Sequence, residues 1–254
     1  MGSFTDGVAV VTGGGSGIGR TTAIEFADRG ARVVVADVDV EGGEETVSEI
    51  EEAGGEACFV ETDVTDTDAT EAMVDVAVDT YGRLDYAFNN AGISGPSAAV
   101  TDHDPEEWQG VIDVNLVGVF NCMKYEIAQM QEQETGGVVV NNASILGHVG
   151  FKNSSGYAAA KHGLLGLTKT AALENGETGV RVNAVCPGFI ETPLLEAAGL
   201  TSDPDMREQI EQLHPMNRLG TPQEVADAVC WLCDDEASFV TGEALGVDGG
   251  YLAR

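Results

Sequence analysis

Short runs of β-branched and other apolar residues recur along this chain, each followed by a longer stretch with apolar residues at helical spacing. The runs stand at Val8–Thr12, Arg32–Ala36, Ala57–Val60, Tyr86–Phe88, Val138–Val140 and Val180–Val185, with a last one expected at Ala244–Val247. Helical stretches fall between them, at Thr21–Arg29, Glu41–Ala53 and Asp68–Tyr81. A longer helix is predicted from Pro105 to Gln133, with Asp104 as its cap and Pro105 in its first turn. Apolar strands that do not alternate with polar residues are buried on both faces. Strands alternating with helices therefore predict an α/β fold with a parallel sheet covered on both sides. No repeat or linker divides the 254 residues, so residues 1–254 are read as a single domain.

Charge then removes several functions. The chain has 12 Lys+Arg against 43 Asp+Glu, a formal net charge of −31. Binding to a nucleic-acid backbone or an anionic membrane needs clustered basic residues, so neither is expected as a partner. The acids are spread over both halves of the chain, which fits a hydrated acidic surface rather than an acidic tail. Adaptation to very high salt is the expectation, because at molar salt the Debye length falls to roughly 3 Å and self-repulsion is screened. Met1–Val11 carries no basic, apolar leader, and five scattered cysteines suit reduced thiols; a cytoplasmic setting is expected.

The first strand runs into a glycine-rich turn, Gly13-xxx-Gly17-x-Gly19, before the next helix. Glycines there let the backbone approach a pyrophosphate, and the helix N-terminus offers free N–H groups. Gly13, Ser16, Gly17, Ile18 and Gly19 are the candidate phosphate-binding residues. Asp37 follows the second strand, 18 residues beyond Gly19, where a carboxylate can accept both adenosine ribose hydroxyls. It would repel a 2′-phosphate, and no Arg or Lys stands at positions 14–16 or 38–40 to offset that repulsion. NAD rather than NADP is the expected cofactor.

Tyr157 and Lys161 are four residues apart, on one helix face. A nearby ammonium favours phenolate, which would turn a weak base into a general acid/base. Ser144, at the end of an earlier strand, can hold a substrate oxygen. Asn115 falls on the apolar face of the long predicted helix, where a buried amide must find a partner. A tie to neighbouring backbone is one reading of it.

With the glycine turn, Asp63-Val64, Asn89-Asn90-Ala91-Gly92, Ser144, Tyr157-xxx-Lys161 and Pro187-Gly188 in this order, the chain resembles the short-chain dehydrogenases/reductases. The resemblance extends to Asp248-Gly249-Gly250. It implies a doubly wound Rossmann-type sheet of about seven strands. It also implies a tetrad of Asn115, Ser144, Tyr157 and Lys161, in which Tyr157 exchanges the proton while hydride passes to or from the nicotinamide. Asn115 would support a water-linked proton relay, and Lys161 would also bind the nicotinamide ribose. By the same resemblance Asp63 and Val64 line the adenine site, and Asn90, Ala91 and Gly92 contact the adenosine ribose side. Pro187, Gly188, Ile190 and Thr192 would hold the nicotinamide, and the protein would be a homotetramer. Placement supports this: Gly13, Asp37, Asp63, Asn90, Ser144 and Pro187 each follow a different predicted strand, at the edge where open α/β sheets bind ligands.

Other signals are weaker. Cys230-xx-Cys233 lies in a helical run, Glu224–Leu232, whose Trp231 and Leu232 read as core. The four histidines lack metal-ligand spacing, so no metal is expected. The segment 189–216 offers Phe189, Leu194, Leu195, Leu200, Met206, Ile210, Leu213 and Met216 as a lid over the substrate. The expected activity is NAD-dependent exchange of a hydride with a secondary alcohol or ketone. Two alternatives stand: a 3-oxoacyl thioester reductase, and a non-catalytic NAD-binding regulator.

Overall fold

The computed structural model describes residues 4–133, 135–197, 199 and 203–253. Seven strands form one parallel sheet: β1 (Val8–Thr12), β2 (Arg32–Asp37), β3 (Glu56–Glu61), β4 (Tyr86–Asn89), β5 (Gly137–Asn142), β6 (Val180–Pro187) and β7 (Ala244–Val247). Their order is β3-β2-β1-β4-β5-β6-β7. Each strand predicted from the sequence is present, and the order reverses between β1 and β4.

Both faces are covered. Val8 and Val10 of β1 point into one core with Val139 of β5 and Val182 of β6. That core packs against α3 (Thr67–Tyr81), α5 (Val119–Glu132) and α6 (Ser155–Asn175) through Met73, Met123 and Leu164. Ala9 and Val11 point the other way, with Val33, Val35, Phe88 and Val140. That face meets α1 (Gly17–Asp28), α2 (Val40–Glu52) and α9 (Pro222–Cys233) through Phe26, Ile50 and Val229. Neighbouring residues of one strand thus serve opposite cores, which is why the runs are continuous in apolar character. Burying such a Val or Phe stabilises the fold by about 1.5–3 kcal/mol.

The predicted long helix forms with one interruption. It runs as α4 (Pro105–Ile112), a π-helical turn at Asp113–Gly118, and α5. Asp104 caps it, its carboxylate accepting from the Glu106 and Glu107 N–H groups. Asn115 lies in this π turn. Leu232 is fully buried, but Trp231 is 39% exposed and is not core. Among the described residues no helix is long and apolar enough to cross a membrane, and no cluster of His, Cys, Asp and Glu could hold a metal ion. The lid segment includes α7 (Pro193–Ala197) and α8 (Pro204–Glu211); its Leu200 lies outside the described residues.

Strand register builds the floor of the site. Thr12 sits opposite both Ala36 and Asn89, and Asn89 sits opposite Asn141. The next residues, Gly13, Asp37, Asn90 and Asn142, therefore emerge on one level at the C-terminal edge of the sheet.

Candidate active site

Two cavities meet at that edge. A trough of about 380 Å³ is lined by Gly13, Ser16, Gly17 and Ile18 from the glycine turn, and by Asp37, Asp63 and Val64. Asn90, Ala91, Gly92, Asn115, Tyr157, Lys161 and Thr192 complete its far end. The second cavity, about 180 Å³, is lined largely by Ile145, Leu146, Phe151, Phe189, Leu194 and Leu195, with Ser144 and Tyr157 at its polar end. Tyr157 lines both. Pro187, Gly188 and Ile190, expected to hold the nicotinamide, line the second cavity where it adjoins the trough, and Thr192 is shared.

The glycine turn is held in place from several sides. Gly13 has φ +62°, and a Cβ there would meet Asn90 Nδ2 at 2.8 Å and Ala91 Cα at 2.9 Å. Only glycine fits, both for conformation and for space. Gly19 does not line the trough; a side chain there would strike the Gly13 carbonyl, so this glycine lets α1 approach the turn. Asn90 Nδ2 donates to the carbonyls of Thr12 and Gly13, both at 3.0 Å, while Thr12 Oγ1 accepts from the N–H groups of Asn90 and Ala91. Arg20 donates to the Gly15 carbonyl through Nε at 3.0 Å and Nη2 at 2.6 Å, and pairs with Glu45 and Glu49 on α2. Gly15 N–H in turn donates to Asp37 Oδ2 at 2.8 Å, and Asp39 N–H donates to Oδ1 at 3.0 Å. The carboxylate is oriented by backbone and keeps lone pairs for a ribose.

These residues fit a nicotinamide dinucleotide. The first turn of α1 opens at the trough with no side-chain cap on its N–H groups, as an anion-binding helix start requires. Asp37 faces the trough further along, at the end of β2. Asp63 uses Oδ1 to accept from Thr65, leaving Oδ2 for an adenine.

Lys161 is buried, and its ammonium donates to the Asn142 carbonyl at 2.7 Å. Nζ lies 5.4 Å from the centroid of the Tyr157 ring. Burial lowers Lys161 to about 8, with Cys186 opposing the change. Burial also raises Tyr157 to about 12, partly offset by a hydrogen bond from Ser144. Burial is the larger influence on the phenol, and the Lys161 ammonium is not among the groups that move it. Ser144 Oγ accepts from Leu146 N–H at 3.1 Å, which leaves its O–H to donate.

Asn115 makes three hydrogen bonds. Nδ2 donates to the carbonyls of Val111 at 2.8 Å and Ile93 at 2.9 Å, and Oδ1 accepts from Ile93 N–H at 3.3 Å. In a π turn the backbone N–H reaches back five residues. The Asn115 side chain reaches the Val111 carbonyl, four residues back on the same helix. The amide ties the segment after β4 to the helix, as the backbone-tie reading expects.

Asn142 was missed from sequence. Its position, two residues before Ser144 at the end of β5, is the signal that could have found it. His148 contacts Cys186 Sγ at 3.6 Å and lines neither cavity. Cys230 and Cys233 are buried and their thiols are pushed up by burial, the opposite of a reactive pair.

Comparison with known proteins places this arrangement in company. A family model described as enoyl-(acyl carrier protein) reductase matches residues 13–252. The chain is 45% identical over 251 residues to a cyclohexanol dehydrogenase of Acinetobacter sp. (strain SE19), covering 99% of this chain and 97% of that protein. It is 45% identical to a cis-4-hydroxycyclohexanecarboxylate dehydrogenase of Sinomonas cyclohexanicum, covering 99% and 98%. The crystal structure of a levodione reductase superposes with a TM-score of 0.95 at 40% identity, covering 98% of this chain and 99% of that one.

Proposed function

This chain belongs to the short-chain dehydrogenases/reductases, and from that membership we propose an NAD(H)-dependent enzyme acting on an alicyclic secondary alcohol or its ketone. That it is an oxidoreductase using a nicotinamide cofactor follows from the family. The finer reading rests on one observation: Tyr157 stands where the cofactor trough meets a small cavity of mainly apolar wall. NAD over NADP is supported by the Asp37 carboxylate. The ring-shaped substrate is supported by the names of the relatives and by the apolar side chains that make up most of the cavity wall.

When bound, the nicotinamide supplies the hydride acceptor or donor. Ser144, its oxygen fixed by Leu146 N–H, donates to the substrate oxygen and stabilises charge there. Tyr157 gives its phenolic proton to a ketone, or takes one from an alcohol. In the oxidative direction Lys161 must offset the cost of burying a phenolate, and the Asn142 carbonyl holds it in place to do so. Asn115 supports a water-linked proton relay, its amide being tied to the Ile93 backbone at the trough. The 3-oxoacyl thioester alternative fits less well, since Asp37 opposes NADPH.

The remaining proposals concern the setting. Val117 and Phe120 around α5 and Leu173 on α6 are exposed, at 40%, 51% and 87%, which suits burial between copies in a homotetramer. The acidic surface suits a cytoplasm of high salt.

Tyr157→Phe tests the central reading. Turnover of cyclohexanol with NAD should fall by about 10²-fold or more while NAD binding, read by calorimetry, is retained. Unchanged turnover refutes the role of Tyr157, and retained binding with no wild-type turnover would favour a non-catalytic NAD-binding regulator.

A further inference from the structure

The cavity beside Tyr157 carries two hydroxyls that the reaction does not use. Its polar side chains are those of Ser94, Asn142, Ser144, Ser154, Tyr157 and Thr192. Four are committed. Ser144 and Tyr157 are the reacting pair. Asn142 gives its amide N–H to Asn90 Oδ1 at 2.9 Å. Thr192 Oγ1 donates to the Ile190 carbonyl and accepts from Leu195 N–H, both at 3.3 Å. The hydroxyls of Ser94 and Ser154 make no hydrogen bond among the described residues.

Ser154 is the more informative of the two. It precedes the first turn of α6, where a serine ordinarily spends its oxygen on an orphan N–H. Here its backbone, at φ −124° and ψ 41°, makes no such cap. It stands three residues before Tyr157, about one turn along the same helix face, so the two are separated by roughly 4.5 Å of rise. Ser94 comes from the segment after β4. A bridge between Ala98 and Ser154, with Ala98 N–H donating to the Asn153 carbonyl at 3.2 Å, draws that segment against the start of α6. Two unspent hydroxyls thus face a cavity whose other walls are Leu146, Phe151, Phe189 and Leu195.

We propose that Ser94 and Ser154 recognise a second oxygen on the substrate, so that the preferred substrate is a ring bearing two oxygen functions. One oxygen reacts at Ser144 and Tyr157; the other, a hydroxyl, carbonyl or carboxyl oxygen, is held by the serines. The physical reason is discrimination by unpaired groups. A purely hydrocarbon ring end strips water from two hydroxyls and returns nothing, whereas a second oxygen satisfies them. This inference rests on the reading of the site as a ring-alcohol dehydrogenase.

The test compares kcat/KM for cyclohexanol and cyclohexane-1,4-diol with NAD in molar KCl, in the wild type and in S94A/S154A. The diol carries two equivalent reacting groups, so a twofold advantage is statistical. The wild type should favour the diol by about tenfold or more, and the double variant should bring the ratio back toward two. A wild-type ratio near two, or an excess that survives the double substitution, overturns the proposal. Binding of cyclohexane-1,4-dione against cyclohexanone, read by saturation-transfer NMR without turnover, separates the two levels. If neither alcohol is oxidised, the dehydrogenase reading fails. A dione preference lost in S94A/S154A would still support the serine site, and equal binding of the two ketones would overturn it.

Discussion

Glu126 on α5 is fully buried, and replacing it with glutamine should change how stability depends on pH. Asn89 Nδ2 donates to Glu126 Oε2 at 2.9 Å and is shared with Asn141 Oδ1 at 3.2 Å. The other half of each group, Glu126 Oε1 and Asn89 Oδ1, is buried without a hydrogen-bond partner. Two acceptors left over on residues already bonded to each other suit a protonated carboxyl, whose O–H supplies the missing donor. Burial raises Glu126 to about 7 from the ordinary value of 4.5, opposed by the Asn89 hydrogen bond. The Cys122 thiol nearby is itself pushed up by burial and by Glu126, and Asn89, Asn141 and Thr168 bring no charge to the cluster. Between pH 4.5 and 7 the folded chain keeps this proton and the unfolded chain releases it. Stability from this group therefore falls as pH rises through that window, by about 3 kcal/mol, and levels off above it. Glu126→Gln keeps the shape and provides an N–H for Asn89 Oδ1 at every pH. Urea unfolding at fixed molar KCl, from pH 4.5 to 8, should show the variant gaining on the wild type by up to about 3 kcal/mol toward pH 8. A wild-type–variant difference that stays constant across that range would refute the protonated pair.

Three further outcomes are expected. Asp37→Ser removes the carboxylate that Gly15 N–H orients; KM for NAD should rise about tenfold and the preference for NAD over NADP should shrink, with kcat little changed. Gly92→Ala places a Cβ 2.7 Å from Asn115 Oδ1, so it should disturb the tie to Ile93, costing about 1–3 kcal/mol in denaturant melts and lowering kcat. With a net charge of −31, the melting temperature should climb steeply from low to molar KCl; a flat profile would defeat the high-salt reading.

Much of the fold was legible because a strand buried on both faces leaves a continuous apolar run, as Val8–Thr12 and Val138–Val140 do. The site was legible where the local chemistry admits only one kind of residue. Glycine at φ +62° in position 13 is such a case, and the carboxylate of Asp37 at the end of β2 is another. It was less legible where a residue type suits many surroundings. Pro187, Gly188 and Ile190, expected to hold the nicotinamide, line the second cavity, which shares Ile18, Tyr157 and Thr192 with the trough, and spacing alone does not separate two cavities at one sheet edge. Trp231 follows a core helix pattern, but its helix position turns it partly to solvent.

By itself the sequence determined the order of strands and helices, the helix face shared by Tyr157 and Lys161, and the sign of the surface. These are properties of local spacing and composition. Tertiary structure decided the partner of each polar group. Asn142 holds Lys161 across 19 residues, Asn115 reaches Ile93 across 22, and Glu126 meets Asn89 across 37. It also decided the direction in which Tyr157 titrates, because desolvation depends on every atom packed around the phenol, while spacing names only the ammonium four residues away.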